Sequence, residues 1–85
     1  MAKRTKLRPT GNGTVQRNPI VEYHIVPHGD RWDVERDDAF TGSFAHNLNT
    51  AIGLATAAAQ REQHNGLEVM VCVQEPSGQC RKVWP

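Results

Sequence analysis

The order of hydrophobic and polar residues divides this chain into two kinds of segment. Hydrophobic positions alternate with polar ones over residues 21–26 and 32–36, and every second residue of 67–74 is strongly hydrophobic, which is the period-two pattern of strands with one buried face. Residues 79–84 follow a turn and are predicted to return as the last strand. Between the second and third of these runs, residues 48–64 place small and aliphatic side chains three and four positions apart, as an amphipathic helix does. The pattern therefore predicts an α+β fold, a two-layer ββαββ domain with one helix packed on a mainly antiparallel sheet.

The first two predicted strands form a hairpin. Pro27 is expected to end the first strand, and His28-Gly29 lies at the turn, where glycine can adopt a positive φ angle. If Tyr23 pairs with Val34, the hydrophobic residues of both strands face the same side, as hairpin register requires. The tryptophan of the second strand then lies on the core face.

The helix has a recognisable start, stripe and end. Residues 37–46 are predicted to be a connection whose Phe40 and Phe44 are buried on the core. Asn47 is the predicted N-cap, because its side chain can accept a hydrogen bond from the first turn, and Gly66 marks the C-terminal stop. The stripe is mostly alanine, which allows the helix to lie close to the sheet. It consists of Leu48, Ala51, Ile52, Ala55, Ala58 and Ala59.

The third predicted strand, residues 67–74, is the most hydrophobic one and is expected to be central in the sheet. Its second face carries Met70 and Cys72, which are less polar than a solvent-exposed face needs to be. Met70 and Cys72 are therefore candidate interface residues, and a partly exposed ordinary strand is the alternative. A turn with Pro76 and Gly78 leads into the last strand.

The N-terminal segment differs in charge from the rest of the chain. Residues 1–20 contain five cations and no acidic residue, and they are predicted to form a flexible basic arm ahead of a single domain spanning residues 21–85. The domain itself carries a charge of −4, so the formal net charge of +1 conceals a basic arm on an acidic body. The cations of the arm are Lys3, Arg4, Lys6, Arg8 and Arg17.

The composition also bears on location and association. No segment approaches the roughly 18 consecutive apolar residues that span a bilayer, and no apolar signal region follows the N-terminal charges. Two cysteines do not make a disulfide scaffold, which agrees with a reducing compartment, so we expect a cytoplasmic protein. A domain of about 65 residues has a thin core, and a homodimer would stabilise it.

The run YHIVPHGD at residues 23–30, followed by Trp32, Val34 and Arg36, resembles the opening of a small bacterial family catalogued as domain of unknown function 2188. The resemblance covers roughly residues 22–82 and is weaker beyond the first hairpin. It implies the hairpin, helix, hairpin fold and a bacterial source, and it implies no activity. Three positions depart from the family pattern: Arg31, Thr50 and Ser77.

Four histidines and two cysteines suggest a metal site, but their spacing argues against it. His24 and His28 lie on one strand some 13 Å apart, at about 3.3 Å per residue, which is too far for one tetrahedral zinc. A three-residue loop would place Cys72 and Cys80 on one face as diagonal neighbours, whereas a four-residue loop would place Cys80 on the core side. The family resemblance implies the second arrangement. We predict no metal site and no cofactor.

A non-catalytic interaction module, which binds protein and associates with itself, is the function that we expect. The sequence contains no nucleophile elbow, and His28-Gly29-Asp30 has no guaranteed orienting partner, so we predict no catalytic residue. The alternative is a nucleic-acid-binding module that uses the arm together with Arg81 and Lys82. Five cations would bind weakly at physiological salt, with a log–log salt slope no steeper than about −4.5.

Overall fold

The structure is a computed structural model that describes residues 20–85. Across its five-stranded sheet the strands follow the order β3-β2-β1-β4-β5, with β1 and β4 parallel and the other neighbours antiparallel. One helix packed on a mainly antiparallel sheet confirms the predicted α+β class, but the predicted ββαββ order is incomplete because a third strand precedes the helix. The elements are β1 (Val21–His28), β2 (Arg31–Arg36), β3 (Ala39–Ala45), α1 (Leu48–His64), β4 (Val69–Gln74) and β5 (Cys80–Trp84).

The predicted basic arm, residues 1–20, lies outside the described residues except for its last residue, Ile20. All five of its cations belong to residues 1–19, which lie outside the described residues. The described residues form a five-stranded sheet, one helix and a hydrophobic core. The fold and the sites below therefore concern residues 20–85 alone.

The hydrophobic core lies between α1 and one face of the sheet, which we name the inner face. Ile25 of β1 and Val71 of β4 are fully buried there, and the partly buried Trp32 of β2 packs against the core to which they belong. The opposite face, named the outer face, carries the alternate residues of each strand. The other buried residues of the inner face are Val21, Tyr23, Val34, Ala45, Val69 and Val73.

The helix α1 begins and ends where the sequence predicts. The Oδ1 atom of Asn47 accepts a hydrogen bond from the backbone N–H of Thr50 at 3.2 Å, and Gly66 follows the helix with a φ angle of 94°. Alanine at the contact lets the helix lie close to β1 and β4. This helix is neither long enough nor apolar enough to cross a membrane, and it is the one helix among residues 20–85. Its fully buried residues are Ala51, Ala55 and Ala59.

The hairpin of β1 and β2 is longer than predicted. A two-residue turn, Gly29-Asp30, connects the strands, and Gly29 has the positive φ angle, 64°, that such a turn needs. As a result Tyr23 pairs with Arg36, and the predicted pairing with Val34 is wrong by two residues. A shift of two positions keeps each side chain on its face, so the predicted inner face survives the error.

Pro27 does not end β1, because its position in the ladder requires no N–H donor. Pro27 lies opposite Trp32, one position before the pair that closes the turn, and its backbone nitrogen points away from β2. On that side the ladder with β4 has already stopped at the pair of Ile25 and Val73. The proline therefore removes no hydrogen bond from the sheet.

The strand β3 is the element that the sequence pattern missed. Residues 39–45 pair with β2, but the register shifts between Asp33 and Glu35, and Gly42 has a φ angle of 92°. This irregularity breaks the period of two that would have marked a strand. The prediction that Phe40 and Phe44 are buried on the core is wrong, because their register places both on the outer face.

Candidate functional site on the outer face

Cys72 and Cys80 are bonded to each other across the β4–β5 hairpin. Their Cα atoms lie 5.4 Å apart, and Gln74 pairs with Cys80, so the two cysteines are diagonal neighbours on one face. The hairpin closes with a three-residue loop, since the N–H of Glu75 donates to the carbonyl of Gln79. The same-face alternative is therefore correct, and the core-side position that the family resemblance implied for Cys80 is wrong.

His24 lies beside this disulfide. The parallel pairing of β1 with β4 places His24 opposite Cys72, and a ring nitrogen of His24 and the two Sγ atoms all lie within 4.8 Å of one another. The Oε1 atom of Glu22 is 2.9 Å from His24 Nε2 and orients the ring. We name these residues, His24, Cys72 and Cys80, the thiol–histidine cluster.

Sequence reasoning missed this cluster because it compared histidines along one strand. His28 lies at the far end of β1 from His24, and its ring forms a hydrogen bond with Asp33 instead. The relevant neighbour of His24 comes from β4, which pairs with β1 only through a long-range parallel contact. A strand order with β1 beside β4 would have revealed the cluster, and the alternation of residues does not supply that order.

The candidate interface residues Met70 and Cys72 and the candidate nucleic-acid contacts Arg81 and Lys82 lie on β4 and β5, near the cluster. Met70 is partly exposed, whereas Cys72 is buried, so any contact in this region would involve Met70 and the exposed Cys80. Lys82 lies opposite Cys72. Arg81 points to the other face and its Nε lies 2.8 Å from a carboxylate oxygen of Glu75, so Arg81 and Lys82 do not form one basic patch.

A second group lies on β2 and β3, where Arg31 stacks against two phenylalanines. The Cζ atom of Arg31 is 4.3 Å from the ring centroid of Phe44 and 5.7 Å from that of Phe40. The phenylalanines are 43% and 51% exposed respectively, which is unusual for aromatic residues on a sheet face. We name Arg31, Phe40 and Phe44 the aromatic–arginine patch. Its cation–π contacts hold the guanidinium in place.

Asp33 forms an ion pair with the arginine of this patch. It is buried, and its two oxygens face Arg31 Nε at 2.7 Å and His28 Nδ1 at 2.8 Å. Burial by itself raises the pKa of Asp33, but the His28 hydrogen bond and the Arg31 guanidinium outweigh burial, and the pKa lies below its ordinary value. His28 thus has an orienting carboxylate, yet its side chain is 67% exposed and lies on open surface.

A third polar group joins the helix to the sheet near the last turn of α1. Arg36 donates two hydrogen bonds to the carboxylate of Glu62, at 2.9 Å from Nε and 2.6 Å from a terminal nitrogen, and the Tyr23 hydroxyl also donates to it. The Arg36 hydrogen bonds lower the pKa of Glu62 to about 2, and burial first and the bond to Glu62 second raise the pKa of Tyr23. These residues form the Tyr23–Arg36–Glu62 network, which holds two elements together.

The two outer-face groups occupy different halves of the sheet. The thiol–histidine cluster belongs to β1, β4 and β5, whereas the aromatic–arginine patch belongs to β2 and β3. The resemblance to the family of unknown function stays a prediction. Comparisons of the chain with protein-family models, with curated proteins and with solved structures found no match.

Proposed function

We propose that this domain is a non-catalytic interaction module that binds a second copy of itself through the outer face of its sheet. The observation that carries the proposal is the aromatic–arginine patch, in which about half of each phenylalanine ring is exposed and no element among residues 20–85 covers it. Aromatic residues and arginine are enriched at the centres of protein interfaces. The patch is therefore the part of the described surface best suited to protein contact.

Both edges of the sheet are poorly suited to association by strand addition. The edge strand β3 has a register shift opposite β2, and the edge strand β5 has another opposite β4, between Val71 and Cys72. Bulges of this kind and charged residues such as Arg81 and Lys82 prevent a neighbouring strand from pairing. Association through the face is favoured over association through an edge.

The charges of the outer face support a pair related by a two-fold axis. Arg31 on β2 and Lys82 on β5 supply positive charge, whereas Glu22 on β1 and Glu35 on β2 supply negative charge. In a two-fold dimer each patch contacts the equivalent surface of the other copy, so a face that carries both signs can pair them. Self-association therefore needs no further partner of opposite charge.

The histidine–carboxylate pairs within residues 20–85 lie on open surface, and this supports the non-catalytic part of the proposal. His24 and His28 each have a carboxylate neighbour, but neither pair lies in a cavity that would exclude water, since Glu22 and His28 are exposed. General acid–base catalysis depends on such a positioned and tuned group. In both pairs the carboxylate orients the histidine ring on the protein surface.

We expect Phe44→Ala to weaken dimerisation at least about 10-fold, because it removes the most closely stacked ring of the patch. Sedimentation equilibrium of the full chain over a range of concentrations measures the dissociation constant. Leu54→Ala is the matched control, since Leu54 is 42% exposed on the helix, on the other side of the molecule. A wild type that stays monomeric, or equal effects of the two substitutions, would contradict the proposal.

Nucleic-acid binding is the second candidate, and the basic arm favours it. Lys3, Arg4, Lys6, Arg8 and Arg17 stand together without an acidic residue, and such a segment can neutralise phosphates. Arg81 and Lys82 add less than expected, because they face opposite ways and Arg81 is paired.

Replacing the five arm cations with glutamine separates the two candidates. We expect this variant to dimerise as the wild type does, because the outer face is unchanged. If the arm binds nucleic acid, fluorescence anisotropy with a generic DNA duplex at low salt should show binding by the wild type that the glutamine variant has lost. A glutamine variant that no longer dimerises would contradict the outer-face proposal.

We also propose that the protein is located in the bacterial cytoplasm, as the sequence analysis predicts, and this location has a chemical consequence. Thiol systems keep most cysteines reduced there. Cys72 and Cys80 would then alternate between the bonded pair of the structure and two free thiols.

A further inference from the structure

We propose that the reduced domain binds one Zn²⁺ ion through the thiol–histidine cluster. Two thiolates and one imidazole are preferred ligands of zinc. The three ligand residues come from three adjacent strands, β1, β4 and β5, so the sheet itself fixes their backbone positions. This site is separate from the aromatic–arginine patch and does not depend on dimerisation.

The distances in the bonded form are close to those that a tetrahedral ion needs. The ligand atoms of His24, Cys72 and Cys80 lie within 4.8 Å of one another. A zinc–sulfur distance of about 2.3 Å requires two sulfurs roughly 3.8 Å apart in tetrahedral geometry. With Cα atoms 5.4 Å apart, the two cysteines can reach that separation by side-chain rotation once the bond is broken. The strands need not move.

The conversion between the two forms is a balanced exchange. A dithiol reductant supplies two electrons and two protons to the Cys72–Cys80 bond, which becomes two thiols while the reductant becomes a disulfide. Zn²⁺ then displaces both thiol protons, which pass to water. Oxidation of the thiolates by a disulfide of higher potential reverses the sequence and releases the ion.

Residues around the cluster favour the zinc-bound form of the reduced domain. Lys82 lies opposite Cys72 on the same face, and a nearby cation stabilises a thiolate. Its single positive charge is smaller than the double negative charge of the two thiolates. Glu22 Oε1 lies 2.9 Å from His24 Nε2, and a carboxylate at one ring nitrogen is the usual second contact of a ligating histidine. We therefore assign the metal to Nδ1 of His24. Because Cys80 is exposed, water can take the fourth coordination position.

Metal titration of the full chain tests this site. The protein is reduced with a dithiol, and the dithiol is then removed under anaerobic conditions. The reduced protein is titrated first with Co²⁺, whose thiolate complexes absorb strongly in the near ultraviolet, and then with Zn²⁺. We expect one Co²⁺ per chain with that absorption, displacement by Zn²⁺, and no binding by the oxidised protein. His24→Asn and Cys80→Ser should each weaken Zn²⁺ binding at least about 10-fold.

His46→Asn is the control, because His46 is an exposed histidine outside the cluster. Three outcomes would overturn the inference: no thiolate absorption with Co²⁺, equal affinity of the His24→Asn and His46→Asn variants, or equal binding by the oxidised protein. The variant Phe44→Ala should keep its full affinity for Zn²⁺. This last measurement separates a failure of the metal site from a failure of the dimer.

Discussion

Ala55→Leu is expected to lower the free energy of unfolding by about 3 kcal/mol, because its additional carbon atoms have no space between α1 and the sheet. Ala55 is fully buried in the middle of the alanine stripe. Adding carbon atoms to a well-packed core commonly costs about 1–3 kcal/mol, and a rigid helix–sheet contact lies at the upper end of that range. A domain of this size has a total stability of only a few kcal/mol. The variant should therefore be largely unfolded at moderate temperature.

Ala57→Leu is the matched control for this substitution. Ala57 is exposed two positions further along the same helix, so the change in side chain and in helix propensity is the same while the packing differs. We expect an effect within about 0.5 kcal/mol. Urea denaturation followed by circular dichroism measures both variants. Equal effects would show that α1 does not rest on the sheet through its alanines.

Glu62→Gln is expected to lower the free energy of unfolding at pH 7 by about 2 kcal/mol. The pKa of Glu62 lies at about 2 in the folded chain, below the ordinary value of 4.5, chiefly because Arg36 donates hydrogen bonds to it. A shift of this size corresponds to at most about 3 kcal/mol. Since the Arg36 side chain is 41% exposed, solvent screening reduces that amount.

The stabilisation that Glu62 provides decreases as the pH falls. A carboxylate whose pKa is lowered by folding stabilises the folded state fully above pH 4.5, and that stabilisation is lost as the pH falls from about 4.5 to about 2. The wild type should lose stability across this interval, and the Glu62→Gln variant should lose about 2 kcal/mol less. Exposed Glu68, replaced in the same way, is the control. Parallel stability curves for wild type and Glu62→Gln between pH 2 and pH 5 would contradict the network.

The helix and the inner face could be predicted from the sequence because their signals are local. Asn47 and Gly66 act on backbone groups within one turn, and the alternation in β1 depends only on neighbouring residues. The register of the first hairpin could not be predicted so well, because it depends on the choice between turns centred on His28-Gly29 and on Gly29-Asp30. That choice moves every pair by two residues.

The outer face could not be predicted because its contacts are long-range. The irregular backbone around Gly42 hides β3, so the sequence pattern assigned Phe40 and Phe44 to the core. The contact of His24 with Cys72 requires β1 and β4 to be parallel neighbours, and spacing along the chain contains no information on that pairing. The sequence allows two positions for Cys80, because a difference of one residue in the loop reverses its face.

The parallel pairing of β1 with β4 also affects how the chain can fold during synthesis. Among the strands of residues 20–85, β1 is made first and lies in the middle of the sheet, and one of its two neighbours, β4, belongs to the last third of the chain. In a nascent chain that has left the ribosome only as far as β3, the strands β1, β2 and β3 have neither the helix to cover their hydrophobic side nor β4 to pair with the free edge of β1. Exposed hydrophobic surface and unpaired strand edges both attract other chains. The interval before β4 emerges is therefore the stage at which this protein is most exposed to aggregation, and a chaperone that binds exposed strands would act there.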